Sequence, residues 1–131
     1  MSPGAGFEGQ LPCGRWSVWR YNWLPNHKLM RGIERARRHA HGTLLDVGCG
    51  SRPFAPLFLG FAERYVGLDL PGSPDLSRGR PDVYGDAERL PIRSGSVDTV
   101  LSLSMFDLVH EPARVLGEMR RVLAPGGVLI A

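Results

Sequence analysis

The chain has 131 residues, a length typical of one domain with a buried hydrophobic core. Hydrophobic residues make up 43% of it and charged residues 22%, which excludes a disordered or low-complexity chain. No apolar run is long enough to span a bilayer and no signal-peptide pattern is present, so the sequence predicts a cytoplasmic protein. Only two cysteines, Cys13 and Cys49, are present, which argues against a disulfide framework.

The charge is unevenly distributed along the chain. Residues 1–42 contain seven Lys and Arg residues against two acidic ones, whereas residues 43–131 contain nine against eleven. A basic segment of this size is most often a solvated helix face, although it also fits contact with a nucleic acid or an anionic membrane. Nucleic-acid binding is therefore kept as an alternative that the composition does not favour.

Two helices are predicted before residue 43, after a Gly- and Pro-rich segment over residues 1–14. The first covers Arg15–Leu24 and ends at Pro25. Its tryptophans share one face and either pack on the domain or cover a ligand as a lid: Trp16, Trp19 and Trp23. The second helix has Asn26 as its N-cap and ends at Gly42. Its apolar stripe consists of Leu29, Ile33, Ala36 and Ala40.

From residue 43 onward, predicted strands alternate with predicted helices. The strands are predicted at Thr43–Val47, Arg64–Leu68, Val83–Tyr84, Ser96–Leu103 and Val128–Ile130. The helices are predicted at Pro53–Phe61 and Pro112–Leu123. The second of these helices has a predicted buried face of Val115, Leu116, Met119, Val122 and Leu123. The alternation predicts an α/β fold with a doubly wound, mainly parallel sheet.

A Gly-Cys-Gly turn at residues 48–50 joins the first predicted strand to a helix. Glycines in such a turn let the backbone bend sharply and let a ligand approach the main chain. Asp69 follows Gly48 by 21 residues, at the end of the next strand, where a carboxylate accepts hydrogen bonds from ribose hydroxyls. The alternative for Asp69 is a cap of the loop that follows it.

Both a nicotinamide dinucleotide and S-adenosylmethionine would present an adenosine to this turn. Pro53 stands where the dinucleotide fingerprint requires a third glycine. Asp46, two residues before Gly48, would repel a pyrophosphate but suits the ammonium group of a methionine moiety. No lysine and no glycine-rich phosphate-binding loop accompanies the turn. The sign of the local charge therefore favours the sulfonium nucleoside.

Four segments resemble a known family: LLDVGCG at residues 44–50, YVGLD at 65–69, GDAERLPIRSGSVDTVLS at 85–102 and EPARVLGEMRRVLAPGGVLIA at 111–131. In this order and spacing they closely resemble the class I S-adenosylmethionine-dependent methyltransferases of the type 11 group. The resemblance covers residues 43–131. It implies a Rossmann-like fold, S-adenosylmethionine as cofactor, and methyl transfer to an acceptor that we expect to be a small molecule.

The resemblance implies cofactor-binding roles for nine residues. Those at the methionine and sulfonium end would be Asp46, Gly48, Cys49, Gly50 and Leu103. Those at the ribose and adenine end would be Asp69, Leu70, Asp86 and Ala87. The Asp86 carboxylate would accept a hydrogen bond from the exocyclic amine, and the Ala87 backbone N–H would donate to a ring nitrogen. The alternative for Asp86 is a turn residue after Gly85.

The chain departs from the family at two places. Asp107-Leu108 stands where the family often has Glu-His, so catalytic residues stay unassigned. The chain also stops at Ala131, within the predicted fifth strand, so the family's C-terminal strands are expected to be missing. The predicted organisation is thus a tail and helical lid region over residues 1–42 and an incomplete cofactor-binding domain over residues 43–131. An edge strand left unpaired in this way invites self-association.

The remaining candidate groups are weak. The four histidines lack zinc-ligand spacing, so no metal site is predicted, and Cys49 is interpreted as a small turn residue rather than a nucleophile. Asp107 and His110 follow the fourth strand, where surface or capping roles are commoner than catalysis. Methyl transfer needs a base only if the acceptor must lose a proton. Two alternatives stay open: a cofactor-binding but inactive chain, and an RNA-directed methyltransferase that uses the basic N-terminal segment.

Overall fold

The computed structural model describes residues 23–73, 79–103 and 105–131. Most of the predicted helix over Arg15–Leu24, with Trp16 and Trp19, lies outside the described residues, as does Cys13. The helices are α1 (Trp23–Ala36), α2 (Ala55–Phe58) and α3 (Pro112–Val122), with 3₁₀ turns at Arg37–His39 and Phe106–Leu108. The strands are β1 (Thr43–Val47), β2 (Arg64–Asp69), β3 (Val83–Tyr84), β4 (Val97–Leu101) and β5 (Leu123–Ile130).

The five strands form one parallel sheet in the order β3-β2-β1-β4-β5. In the central strand β1, Leu44 pairs with Tyr65 of β2 on one side and with Thr99 of β4 on the other. The chain runs outward through β2 and β3 and then in the other direction through β4 and β5. The strand order therefore reverses at β1, and in such sheets a crevice opens at the carboxyl ends of the strands beside the reversal. The predicted Rossmann-like α/β fold is confirmed.

Each face of the sheet is covered by an apolar core. The core on the α3 face includes Leu45, Val47, Val100, Val115 and Met119. The core on the α1 and α2 face includes Ile33, Leu44, Phe58 and Leu101. The neighbours Leu44 and Leu45 point to opposite faces because side chains alternate along a strand. Burial on both faces explains why β1 is a continuous apolar run rather than an alternating pattern.

Helix α1 differs from its prediction at both ends. It begins before Pro25, which lies third in the helix instead of separating two helices. Backbone N–H groups of a first turn have no intrahelical acceptor, so a proline there breaks no hydrogen bond. The helix ends before the 3₁₀ turn at Arg37–His39, and Gly42 takes a φ of 55° just before β1. The predicted apolar stripe is confirmed, with Ile33 and Ala40 buried.

Besides α1, helix α2 and strand β5 differ most from their predicted bounds, and β4 covers Val97–Leu101 instead of Ser96–Leu103. Helix α2 forms a single turn, and Gly60 redirects the chain with a φ of 83° two residues after it ends. Strand β5 begins at Leu123 instead of Val128. Its pairing with β4 shifts in register between Val97 and Thr99, so a bulged stretch of β5 is accommodated within the strand.

Helix α3 buries Val115, Met119 and Val122 against the sheet, as predicted. The prediction for Leu116 is wrong, because this side chain is 44% exposed. Each residue advances about 100° around a helix, so Leu116 lies to one side of the stripe that Val115 begins. Within the described ranges, no helix has both the length and the apolar character needed to cross a bilayer.

Truncation of Met119 and of Leu116 to alanine should change the free energy of unfolding by very different amounts. We expect Met119→Ala to lower the free energy of unfolding by about 2–5 kcal/mol, because the Met119 side chain is 0% exposed and its loss leaves a cavity. Leu116→Ala should change it by less than about 1 kcal/mol. Urea denaturation followed by circular dichroism measures both values. Equal losses in the two variants would contradict the placement of Leu116 outside the core.

Candidate functional site

A cavity of about 640 Å³ opens at the carboxyl ends of the central strands, a size suited to a nucleoside-sized ligand. All nine residues predicted to bind the cofactor line it: Asp46, Gly48, Cys49, Gly50, Asp69, Leu70, Asp86, Ala87 and Leu103. They come from β1, the turn after it, the end of β2, the loop after β3 and the segment after β4. The fold thus gathers into one cavity residues that are up to 57 positions apart in sequence, from Asp46 to Leu103.

The Gly-Cys-Gly turn is bent tightly against β2. Gly48 takes a φ of 77° and Gly50 a φ of 50°. The backbone N–H groups of Gly48 and Cys49 donate to the Leu68 carbonyl oxygen at 2.9 and 3.1 Å. A Cβ atom on Gly48 would lie 3.1 Å from the Met105 sulfur. The glycine therefore permits the backbone conformation and keeps the floor of the cavity free of side-chain atoms.

Asp69 connects the end of β2 to this turn. One carboxylate oxygen accepts a hydrogen bond from the Gly50 N–H at 2.7 Å, and the other accepts one from the Leu70 N–H at 2.7 Å. The side chain is only partly buried and lines the cavity. Asp69 thus has the loop-capping contact that was its alternative, and each of its oxygens retains a second lone pair for a ligand hydroxyl.

Asp46 is the buried carboxyl group of the site. Its side chain is 3% exposed, and one carboxylate oxygen accepts a hydrogen bond from the Tyr65 hydroxyl. Burial raises the pKa of Asp46 to about 6; the Tyr65 hydrogen bond and the Arg52 charge oppose that rise, and the Asp69 charge adds to it. Asp46 therefore carries a negative charge at pH 7 and loses it as the pH falls through about 6.

The loop after β3 forms another wall of the cavity. Asp86 accepts a hydrogen bond from the Glu88 N–H at 2.8 Å, which is the turn role that was its alternative. Its side chain also lines the cavity. Ala87 beside it is buried. Glu88 in turn accepts hydrogen bonds from the backbone N–H groups of His110 and Glu111 at 3.1 and 3.2 Å. Glu88 thus ties this loop to the segment after β4.

Helix α3 also holds the loop after β3, through hydrogen bonds to Leu90 and Ile92. The Glu118 carboxylate accepts a hydrogen bond from the Leu90 N–H at 2.8 Å. The Arg121 guanidinium donates to the carbonyl oxygens of Leu90 and Ile92 at 3.0 and 2.9 Å, and it also pairs with Glu118 at 2.7 Å. Because α3 packs on the sheet through its buried face, these bonds fix the loop relative to β1.

The remaining wall is apolar and was largely missed by sequence reasoning. It includes Leu29, Phe54, Met105, Leu108 and Val109 in addition to Leu103. Asp107 and His110 are exposed and do not line the cavity, so nothing here assigns them a catalytic role. Among the described lining residues there is no Lys, Arg or His side chain. The cavity therefore offers carboxylates to a cation and no basic side chain to a phosphate.

Gly67, in the middle of β2, is another residue that the sequence reasoning missed. A Cβ atom there would lie 2.8 Å from the Cys49 sulfur and 3.1 Å from Nε of Arg52. The Arg52 guanidinium lies beside this strand, paired with Asp82 at 2.8 Å. The signal in the sequence is a glycine inside a strand, which often marks a close approach of other atoms.

Cys49 fills the space that Gly67 leaves. Burial, the largest effect, and the neighbouring charges of Asp46 and Asp69 raise the pKa of its thiol to about 12. The thiol stays protonated at neutral pH and is a poor nucleophile. This supports the interpretation of Cys49 as a turn residue that packs under the cavity.

A family model described as a methyltransferase domain matches residues 45–131, a range that includes all nine of the predicted cofactor-binding residues. The chain belongs to the class I S-adenosylmethionine-dependent methyltransferases. The family membership that the sequence motifs predict is thereby confirmed. The match begins within β1 of this methyltransferase domain and runs through β5.

Individual relatives agree with this membership. Malonyl-[acyl-carrier protein] O-methyltransferase of Serratia marcescens is 32% identical over 97 residues, which are 70% of this chain and 38% of that protein. A Mycolicibacterium smegmatis protein named as an S-adenosylmethionine-dependent methyltransferase is 31% identical over 82% of this chain and 44% of its own length. The methyltransferase domain described here thus spans less than half the length of these curated relatives.

Solved structures share the architecture. A Haloferax volcanii protein described as a methyltransferase, in complex with the Trm112 methyltransferase activator, superposes with a TM-score of 0.61 and 29% identity. The match covers 79% of this chain and 50% of that chain.

The steric role of Gly67 can be measured against a glycine in open surroundings. We expect Gly67→Ala to lower the free energy of unfolding by about 1–3 kcal/mol, because its Cβ atom overlaps Cys49 and Arg52. Gly117→Ala is the control: Gly117 lies inside α3 with no atom within 4 Å of an added Cβ, so the change should stabilise the chain by up to about 1 kcal/mol. Urea denaturation measures the free energy of unfolding of both variants. An unchanged value for Gly67→Ala would show that Cys49 and Arg52 do not fill the space beside Gly67.

The buried Asp46 carboxyl makes stability depend on pH. Its pKa is about 6 in the folded chain against 3.8 for the free group, so as the pH rises from 4 to 6 the unfolded chain releases the proton first and the free energy of unfolding falls. Asp46→Asn removes this loss and should raise the free energy of unfolding by about 1–3 kcal/mol at pH 7.5. At about pH 3, below the unfolded value of 3.8, both states keep the proton, so the variant and the parent should be equally stable. Thermal unfolding at both pH values tests this, with Asp107→Asn as the exposed control, and a gain of the same size at both pH values would contradict it.

Proposed function

We propose that this domain binds S-adenosylmethionine in the 640 Å³ cavity and transfers the methyl group to a small-molecule acceptor. The observation that supports the proposal most is the charge of the lining. Asp46, Asp69 and Asp86 face one cavity, and the described residues add no basic side chain to it. A cationic nucleoside is attracted to such a site, whereas a dinucleotide would bring its pyrophosphate against carboxylates.

Different groups of lining residues suit the methionine, ribose and adenine parts of the cofactor. We propose that Asp46, with the turn at Gly48, Cys49 and Gly50 and with Leu103, holds the methionine end. Asp69 would hold the ribose hydroxyls, since it already lies at the mouth of the cavity with acceptor capacity on both oxygens. We propose that Leu70, Asp86 and Ala87 bind the adenine. Leu70 is 51% exposed in the free domain, so an adenine ring packed on it would bury apolar surface.

Methyl transfer requires the protein mainly to align the methyl donor with the acceptor. Bound S-adenosylmethionine supplies a methyl group that is already activated by its sulfonium sulfur. The glycine turn and Asp69 orient the donor, and the apolar wall at Met105, Leu108 and Val109 offers a surface on which an acceptor would pack. Holding two reactants in an attack geometry is worth about 7–11 kcal/mol, and a general base is required only for an acceptor that must lose a proton.

The acceptor itself, the partners and the location stay predictions. The apolar wall supports an acceptor with an apolar part. Neither the inactive nor the RNA-directed alternative is favoured by a specific observation among the described residues, and Arg15 and Arg20 of the basic segment lie outside them. Self-association through β5, one of the two edge strands of the described sheet, and a cytoplasmic location stay predictions of the sequence.

We expect Asp69→Ala to weaken S-adenosylhomocysteine binding by roughly 100-fold without unfolding the chain, since the ribose loses its charged acceptor. Isothermal titration calorimetry measures the affinity, and circular dichroism shows whether the fold persists. Glu63→Ala is the matched control, because Glu63 is an exposed acid just before β2 and does not line the cavity. An Asp69→Ala affinity within twofold of the parent would refute the ribose assignment.

A ligand variant separates loss of the ribose contact from loosening of the glycine turn. The parent should bind the 2′-deoxyribose analogue of S-adenosylhomocysteine more weakly than S-adenosylhomocysteine itself. Asp69→Ala should no longer distinguish the two ligands. If it still distinguishes them as well as the parent does, Asp69 acts only through the Gly50 hydrogen bond.

A further inference from the structure

We propose that Tyr65 is a positioning residue of the cofactor site, whose hydroxyl holds the Asp46 carboxylate charged and oriented toward the cationic end of the ligand. The proposal rests on the proposed function, because it takes the ligand ammonium group as the partner of Asp46. Tyr65 does not line the cavity, so it acts through Asp46 and not by touching a ligand.

The register of β1 and β2 brings the two side chains together. In the parallel pair, Leu44 stands opposite Tyr65, and Asp46 stands opposite Gly67. Tyr65 and Asp46 therefore project from the same face of the sheet as diagonal neighbours, a separation that an aromatic side chain can bridge. The Tyr65 hydroxyl donates to one oxygen of Asp46 and leaves the other oxygen to a ligand.

A donor at this point matters because Asp46 is almost fully enclosed. A carboxylate that is 3% exposed has lost most of its contact with water, which favours the neutral acid. A neutral Asp46 would still line the cavity, but it would no longer attract an ammonium group. The hydroxyl replaces part of the lost hydration, and its hydrogen bond stabilises the carboxylate more than the neutral acid.

The other charged groups near Asp46 do not take over this role. Asp69, at the end of β2, raises the pKa of Asp46. Arg52, on the turn before α2, lowers it, but no hydrogen bond joins Arg52 to Asp46: the Arg52 Nη2 group contacts Asp82 at 2.8 Å and the Arg80 carbonyl oxygen at 2.9 Å. Burial and the Asp46 charge raise the pKa of Tyr65, so the hydroxyl keeps its proton and remains a donor at neutral pH.

Tyr65→Phe in the 131-residue chain tests the proposal with two readouts. Carbon-13 NMR of the carboxyl groups follows the titration of Asp46 without ligand, and its midpoint should rise in the variant because a stabilising donor is gone. Calorimetry with S-adenosylhomocysteine should show affinity about three- to tenfold weaker at pH 7. The difference should shrink below about twofold at pH 8.5, where Asp46 ionises in both chains. A merely structural role of Tyr65 would weaken binding equally at both pH values.

Tyr84→Phe is the matched control. Tyr84 lies on the neighbouring strand β3, is 50% exposed and does not line the cavity, so its change should move neither readout. In the Asp46→Asn background, Tyr65→Phe should add no further loss of S-adenosylhomocysteine affinity, since the two residues act as one unit.

Incorporation of 3-fluorotyrosine at position 65 covers the case in which Tyr65→Phe unfolds the chain. The fluorine makes the hydroxyl a stronger donor without removing it, so the Asp46 midpoint should fall. An unchanged midpoint in both Tyr65 variants overturns the proposal. A shifted midpoint with unchanged affinity at pH 7 overturns the positioning role toward the ligand. A parent chain that titrates normally but binds no S-adenosylhomocysteine at any pH overturns the proposed function, and the positioning role falls with it.

Discussion

Three backbone N–H groups fasten the bend after β1 to the end of β2, and the shape of the cavity depends on them. Gly48 and Cys49 donate to the Leu68 carbonyl oxygen, and Gly50 donates to the Asp69 carboxylate. β1 and β2 end side by side only because the connection through α2 returns the chain in the same direction. Because the two strands end side by side, the N–H groups of the bend lie within hydrogen-bonding distance of acceptors at the end of β2. The glycines let the turn take this path without a side chain entering the cavity.

The same attachment concentrates negative charge. Asp46 lies one residue before the end of β1, and Asp69 is the last residue of β2, so both carboxylates reach the cavity from adjacent strands. Their mutual repulsion and the burial of Asp46 work against the stability of the fold. Stability of this kind is commonly sacrificed at binding sites, where a destabilised charge gains its partner only when the ligand arrives. The loop after β3, which forms one wall of the cavity, is held by Arg121, whose charge is paired with Glu118.

Much of the fold followed from local patterns. The apolar runs at β1, β2 and β4 and the glycine turn between β1 and α2 predicted the elements that build the central sheet. The errors came where a residue has more than one structural meaning. Pro25 predicts a helix end, but a proline is equally compatible with a first turn, where it lies. The apolar character of Leu116 predicts burial, but its angular position on α3 leaves it 44% exposed.

The nine residues predicted to bind the cofactor come from motifs shared with the family, and each lies at or close to the end of a strand. The supporting residues had no such signal. Tyr65 and Gly67 sit within a strand whose apolar character already accounted for them, and Glu88 is one of several acids in a polar loop. Their roles arise from partners 15 or more positions away: Asp46 for Tyr65, Cys49 and Arg52 for Gly67, and the backbone of His110 for Glu88.

The order of strands and helices, the glycine turn and the sign of the charge around it can be read from the amino-acid sequence alone. These features depend on neighbours within a few residues and on the side chains themselves, so the sequence pattern shows them directly. The burial of Asp46, the hydrogen bond from Tyr65 and the apolar side chains that close the cavity become visible only in the folded chain. Burial and hydrogen-bond partnership depend on how elements distant in the chain pack together, and packing is a property of the whole sheet and its helices.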